Sequence, residues 1–422
     1  MSSADYLESR AVSGPWRIEG CTEGGLGGAV VIPALAESAN LFATLSSLAS
    51  NPVELCDRFL VLVVVNQRED ALLVDKSDNL LTLQRLAAGD PELSRLKLAW
   101  VDAVSPGLEL PLKGGGVGLA RRIGLDLALA RLAASAGDPI LVCLDADTLV
   151  RPDYLPALVR HFAGSACGGA VIPFRHQQGL SPQTDAAILR YELYLRSFVL
   201  GLTLAASPYA FHSVGSAMAC RASAYVKIGG MNSRSAGEDF YFLQQLSRTV
   251  GIEQVVGTVV YPAQRASHRV PFGTGRSISR VLDGDPSAVL FYRCECFRIL
   301  GDWLGLVSGG LEKDSTALLK GAGEVSEELL TYLKLAGFAE IWPKLQKNNP
   351  GSKQLLTAFH GWFDGLKTMK LIHHLSAGSL PRCQPETAVA EILEWCGLEA
   401  LTDQEGQLES LRRLQLGKDY CL

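Results

Sequence analysis

Two aspartates one residue apart, Asp145 and Asp147 in the stretch D-P-I-L-V-C-L-D-A-D-T, are the first residues of this chain that invite chemistry. Carboxylates this close repel each other unless something cationic stands beside them. Their hard oxygens suit Mg²⁺ or Mn²⁺, and Mg²⁺ commonly combines one or two carboxylates with substrate phosphates. A strand-end turn with a helix N-cap would use the same residue types. A second acidic pair, Glu238 and Asp239 in G-E-D at 237–239, precedes an amphipathic pattern from Phe240 to Thr249. A helix N-terminus favours ionised carboxylates, and simple capping is the competing reading. Lys113 is followed by Gly114, Gly115, Gly116 and Gly118, and the run opens into a helical pattern from Leu119 to Ala134 that carries Arg121 and Arg122. Glycines ahead of a helix N-terminus let backbone amides approach a phosphate, whereas a plain flexible loop needs the same residues. No G-x-x-x-x-G-K-[ST] occurs, nor a G-x-G-x-x-G after the first strand.

The elements that must position these groups follow from apolar runs. Ala29 to Ile32, ended by Pro33, Phe59 to Val65 and Ile140 to Leu144 are nearly unbroken apolar stretches, the pattern of strands covered on both faces of a parallel sheet. Leu96 to Val101 is a further strand, and helical patterns run from Glu37 to Leu48 and from about Asn79 to Ala88. This alternation predicts a mostly parallel, doubly wound α/β sheet. Ligands of such sheets sit at the carboxyl ends of the strands. Pro33 with Glu37, Asn66 with Asp70, Lys113 with its glycines, and Asp145 with Asp147 should therefore share one edge, an array suited to a nucleotide diphosphate held through a divalent cation. Later strands are expected at Gly169 to Pro173, within the small-residue stretch Phe211 to Arg221, and at Val255 to Tyr261. Residues 1–28 carry many glycines and little periodicity and read as an irregular lead-in. Helical patterns replace strands after about residue 280, which places a boundary there.

Composition narrows the class. Apolar residues make up 48% of the 422 residues, enough for a sizeable core, and 39 basic residues against 44 acidic leave a net charge of −5 with no basic block. Non-specific nucleic-acid binding therefore has little support. The N-terminus is polar and acidic, and the longest apolar run outside the strands, Phe198 to Ala206, falls short of the roughly 20 residues that span a bilayer. The expectation is a cytoplasmic protein. Ten scattered cysteines fit reduced structural thiols, and Cys294-Glu295-Cys296 without a second pair is a poor zinc signature.

Taken together, V-V-I-P-A-L-A-E at 30–37, G-V-G-L-A-R-R-I-G at 116–124, L-D-A-D at 144–147, G-S-A-M-A-C-R at 215–221, I-G-G-M at 228–231 and G-E-D at 237–239 resemble a family-2 glycosyltransferase of the GT-A fold over roughly Ala29 to Gly275. The resemblance implies a GT-A catalytic domain over 29–280, with mixed, mostly parallel sheet flanked by helices, and a helical C-terminal domain over 281–422. It implies transfer of a sugar from a nucleotide-diphosphate sugar to an acceptor hydroxyl of a small molecule, lipid or glycan, aided by Mn²⁺ or Mg²⁺. Pro33 and Glu37 would line the base and ribose pocket, Arg121 would support the nucleotide-facing loop, and Asp147 would bind the metal, with Asp145 on ribose or the metal's water. Asp239 would be the general base, beside Glu238. His268 would be a further metal ligand or diphosphate contact, with Arg265, Arg269 and Arg276 near an anionic partner; Asn66 and Lys113 complete the donor set.

Three departures refine this. Leu35-Ala36 stands where the family usually has tyrosine-asparagine, and Asn66-Gln67 stands where an aspartate often ends the second strand, so the nucleotide base is left open. The Q-x-x-R-W motif of processive synthases is missing, which favours single transfers. A nucleotidyltransferase is the nearest enzyme alternative, but it would place a glycine-rich, basic loop straight after the first strand. A catalytically silent nucleotide- or sugar-binding scaffold is the alternative from another class. The helical tail, with Trp303, Trp342, Trp362, Trp395 and the His373-His374 pair, could cover an acceptor or form a homo-oligomer.

Overall fold

The computed structural model describes residues 2–178, 181–234, 237–263 and 289–416. Contacts divide the chain into two units, Met1–Ser181 with Ser213–Arg276, and Pro182–His212 with Ser277–Leu422. The first begins with α1 (Ser3–Ser9), β1 (Ile18–Gly20), β2 (Gly28–Ala34), α2 (Leu41–Ala49), the single turn α3 (Val53–Cys56), β3 (Phe59–Asn66), α4 (Leu73–Ala88) and β4 (Lys97–Ala103). Then come α5 (Val117–Leu132), β5 (Ile140–Cys143), β6 (Thr148–Val150), α6 (Tyr154–Gly164) and β7 (Gly169–Val171). The long helix α7 (Pro182–Leu204) belongs to the second unit. The chain returns to the first unit with β8 (Met218–Arg221), α8 (Ala222–Ile228), α9 (Glu238–Val250), β9 (Ile252–Gln254) and β10 (Val260–Pro262).

Eight strands form one sheet in the order β1-β4-β3-β2-β5-β8-β7-β9. Its middle, β4-β3-β2-β5, is parallel throughout, while β1 and β8 run antiparallel to their neighbours. The expected mixed, mostly parallel sheet flanked by helices is the architecture found. Every residue of β2, β3 and β5 is buried, as their unbroken apolar sequences require of strands covered on both faces. Pro33 lies inside β2, paired with Val64, and does not end the strand as expected. It sits beyond Val31, the last β2 residue paired with β5, where a missing N–H breaks no ladder bond to that strand.

Residues 1–28 are more regular than their glycines suggested. Ser2 caps α1, its hydroxyl accepting from Asp5 N at 3.1 Å while its own N–H donates to the Asp5 carboxylate at 2.9 Å. Tyr6, fully buried, donates to Asp126 Oδ1 of α5 at 2.8 Å, and Val12 N donates to Asp126 Oδ2 at 2.7 Å. These bonds tie α1 to the domain, and β1 adds an antiparallel edge to β4. Two later strands also differ from expectation. Only Met218–Arg221 of the 211–221 stretch is a strand, and the expected strand over Val255–Tyr261 is instead the link from β9 to β10 plus the start of β10. β10 pairs antiparallel with β6 in a small two-stranded sheet.

The second unit is all helical: α7 with eight helices from Cys294–Ser308 to Gln404–Leu416 among the described residues. The expected boundary near 281 therefore misses α7, which the chain inserts before β8. Trp303 and Trp342 are fully buried in its core; Trp303 packs edge-on against Phe338 and Phe359, while Trp342 stacks on Phe338 and meets Phe359 edge-on. Cys294 and Cys296 are buried free thiols whose pKa burial pushes up to about 11, as suits structural cysteines. Glu192 and Arg196 of α7 pair at 2.8 Å with almost no exposure, and Arg412 of the last helix reaches the same Glu192 oxygen at 2.9 Å. Among the described residues no helix is long and apolar enough to cross a membrane.

Candidate active site

The parallel block delivers its carboxyl ends to one edge. β5 ends at Cys143, Leu144 N still donates to Val31 O, and the chain turns through Asp145-Ala146-Asp147 into β6. Three bonds fix that turn. Thr148 N donates to Asp145 O at 3.1 Å, Thr44 Oγ1 of α2 donates to Ala146 O at 2.9 Å, and Gln177 Nε2 donates to Asp147 O at 3.0 Å. Each of the three carbonyls of the turn thus has its own donor, from β6, from α2 and from Gln177. The turn expected at this motif is present in its backbone bonds.

Arg121, on the first turns of α5, is the centre of the site. Its guanidinium is only 3% exposed, and it makes two ion pairs, Nη2 with Asp145 Oδ1 and Nη1 with Glu238 Oε1. Burial opposes its charge, yet Asp145 and Glu238 outweigh that cost and keep its pKa above even the usual arginine value. One buried cation therefore joins the D-A-D turn to the G-E-D helix start. Sequence reasoning gave Arg121 a loop-supporting role and saw no link to Glu238.

Two glycines create the space. Gly118 lies where an added Cβ would stand 2.2 Å from the Arg234 carbonyl, so α5 can approach the segment ahead of α9 only without a side chain there. Gly215, in the G-S-A-M stretch, faces the Arg121 guanidinium in the same way. Neither role leaves a local sequence signal, since each is set by a tertiary approach.

At the start of α9, Gly237 takes a left-handed φ of 70°, and Asn232 Nδ2 donates to Glu238 O at 2.9 Å. Glu238 is buried on Arg121; Asp239 is partly exposed, with Oδ1 accepting from Phe240 N at 2.7 Å. Burial first, then the neighbouring Glu238 charge, raise the Asp239 carboxyl to about 7, against the lowering effect of Arg121. A carboxyl titrating near neutrality beside a second acidic motif is what general-base chemistry asks for.

The other expected donor-site residues distribute as follows. Glu37 is buried at the carboxyl end of β2, accepting from Asn40 Nδ2 at 3.1 Å. The bend before it holds Ala36 at a φ of 51°, a conformation that costs a non-glycine residue roughly 1–3 kcal/mol, and Asn79 Oδ1 pins it by accepting from Ala36 N at 2.7 Å. Asn66 is buried, and its amide donates to Ala34 O and Val64 O, both at 3.1 Å. Asn79 Nδ2 donates to Asn66 O and to Gln67 Oε1, so Asn66, Gln67 and Asn79 form an amide network that braces the ends of β2 and β3. Asn79 was read only as the start of a polar helix; α4 in fact begins six residues earlier, at Leu73. Lys113 is exposed in the loop before α5. His268, Arg265, Arg269 and Arg276 lie outside the described residues.

The donor set bears on a divalent cation. Among the described residues no three His, Cys, Asp or Glu side chains converge as a ligand cage. Asp145 and Asp147 offer hard carboxylate oxygens just beyond β5, and Asp145 already shares its charge with Arg121. That set fits Mg²⁺ or Mn²⁺ completed by water and substrate phosphates, and does not fit a closed structural site.

No known family's sequence profile matches the chain, and no curated protein does. Solved structures similar to it include S. aureus TarS 1-349 in complex with UDP-GlcNAc, at 12% identity over 94% of this chain and 93% of that one, with a TM-score of 0.37. M. tuberculosis glucosyl-3-phosphoglycerate synthase is similar at 18% identity over 68% of this chain and 85% of that one, with a TM-score of 0.32. A mycobacterial protein follows at 19% identity over 68% and 79% of the two chains, with a TM-score of 0.33. Overlaps this loose leave the chemistry to this chain's own residues.

Proposed function

We propose that this protein is a GT-A glycosyltransferase of the family-2 type, moving a sugar from a nucleotide-diphosphate sugar to an acceptor hydroxyl in single, inverting transfers. The observation that carries this reading is the buried Arg121, which joins Asp145 of the strand-end pair to Glu238 beside Asp239. Candidate donor-binding carboxylates and a candidate base are thereby held in one electrostatic unit.

Asp147, with Asp145, would hold Mg²⁺ or Mn²⁺, which when bound supplies positive charge to the leaving diphosphate. Pro33 and Glu37 line the base and ribose end, on the braced carboxyl ends of β2 and β3. Lys113, exposed ahead of α5, balances phosphate charge. Asp239 takes the proton from the acceptor hydroxyl. The resulting oxygen attacks the anomeric carbon from the face opposite the diphosphate, the sugar–phosphate C–O bond breaks with its electrons leaving on the nucleoside diphosphate, and configuration inverts. Glu238 takes no proton in this scheme; through Arg121 it positions its neighbour.

The test is release of nucleotide with Mn²⁺ or Mg²⁺, followed by phosphorus NMR: nucleoside diphosphate from UDP-, GDP- and dTDP-sugars, and CMP from CMP-sugars. Metal-dependent release from one nucleotide class, falling about 10²–10⁴-fold in Asp239→Asn, is the expected result. Undiminished turnover in Asp239→Asn would remove the base assignment, and no release from any donor would contradict the proposed activity.

A further inference from the structure

Next to Arg121 on α5, Arg122 lines a separate cavity of about 320 Å³ with the Gly229–Asn232 turn and residues of α9. That volume lies at the lower end of small-ligand sites. Three of its lining residues are arginines, Arg122, Arg234 and Arg248, and none of the described lining residues is acidic. Arg10 of the α1 end borders it too, with Nη1 3.2 Å from where a Cβ on Gly229 would stand. The chain as a whole carries a net charge of −5, so this cavity is locally opposite in sign to it.

The charges are poorly compensated. Among the described residues no carboxylate forms an ion pair with Arg10, Arg234 or Arg248. Asp126 is the nearest acid to Arg122, at 3.5 Å from Nε, and it already accepts from Tyr6, Tyr225 and Val12 N. Arg122 Nε is buried without a hydrogen bond, while Nη2 donates to Arg10 O at 2.6 Å. Arg234 lies over the Tyr241 ring at 3.9 Å, a stacking that fixes the plane of its guanidinium beside the cavity. A guanidinium held in this way matches the oxygens of phosphate, and Gln245 adds a neutral polar partner in the same lining.

We propose that this cavity binds a small phosphorylated ligand, its phosphate held by Arg122, Arg234 and Arg248. The site is distinct from the donor edge, where Arg121 is already occupied by Asp145 and Glu238. Asn232, in its wall, donates to the backbone of Glu238, so an occupant would touch the segment that carries Asp239.

Two probes, inorganic phosphate and glucose 6-phosphate, are titrated into the full chain by calorimetry at constant ionic strength, with chloride as the control. Saturable one-to-one binding is expected, weakened about tenfold or more in Arg248→Gln and again in Arg234→Gln, the loss of a charge-assisted bond converted at 1.4 kcal/mol per decade. Both arginines are exposed, so the unliganded variants should melt with the wild type. Equal affinity for the two probes assigns recognition to phosphate alone; tighter binding of the ester assigns it to a phosphorylated metabolite. Binding that both substitutions leave unchanged, or no saturable binding of either probe, overturns the proposal.

Discussion

A Cβ on Gly215 would stand 2.4 Å from Arg121 Nη2 and 2.9 Å from its Cζ, so the space beside Gly215 belongs to the Arg121 guanidinium. That guanidinium is held by Asp145 on one side and Glu238 on the other and has no room to retreat. Gly215→Ala should therefore overpack the site and cost about 1–3 kcal/mol, read as a lower urea midpoint at unchanged slope. Turnover should fall with it. An unchanged midpoint would mean that Arg121 moves freely and organises nothing.

Arg121→Met should be more damaging, because it strands a buried Glu238 carboxylate opposite Asp145. Losing one partner of a buried ion pair costs roughly 3–5 kcal/mol, and the one-third exposure of Asp145 places this case at the lower end. Arg121→Lys keeps a charge without the two-pronged geometry and should rescue stability only in part. Urea unfolding of the three proteins gives the order.

The pH dependence follows from Asp239, whose pKa is raised, chiefly by burial and then by Glu238, to about 7. The base must be ionised, so kcat/KM should rise with pH through about 7 and level off above it. Arg121 lowers this pKa through its charge, so Arg121→Met should move the limb to higher pH, and Arg121→Lys, which keeps the charge, should move it less. Stability has the opposite sign: the fold favours the protonated carboxyl, and that contribution is lost as pH rises through about 7. A flat rate profile between pH 5 and 8 would contradict the base role.

Much of this site was legible in the sequence, and the reason is physical. Strands β2, β3 and β5 are buried on both faces, so they advertise themselves as apolar runs, and the motifs D-A-D and G-E-D begin or end elements at recognisable places. What escaped depends on tertiary partners. β1 has only three residues and exists through its register with β4, and α1 is fixed by the distant Asp126. The exposed apolar residues Leu72, Leu73 and Val74 at the start of α4 gave no amphipathic period to read. Asn79 owes its importance to one accepted and two donated hydrogen bonds, and Gly215 to one missing methyl, which no spacing encodes.

The helical unit offers an independent check of its own packing. Glu192 is 1% exposed and receives both Arg196 and Arg412, so Glu192→Leu should leave two guanidinium groups facing an apolar side chain. A loss of roughly 3–5 kcal/mol is expected. Arg412→Ala should cost less, since Arg196 would still pair with Glu192. Equal stability of wild type and Glu192→Leu would show that the network contributes nothing.

The most direct test of the central claim is thermal stability against UDP-, GDP-, dTDP- and CMP-sugars, each with and without Mn²⁺, for wild type and Asp147→Ala. A donor at about 100 times its Kd should add about 2.7 kcal/mol to the stability of the fold. The account predicts an upward Tm shift from one nucleotide class that requires the metal and is lost in Asp147→Ala. No shift with any donor, or a shift that Asp147→Ala retains in full with its metal dependence, would contradict it.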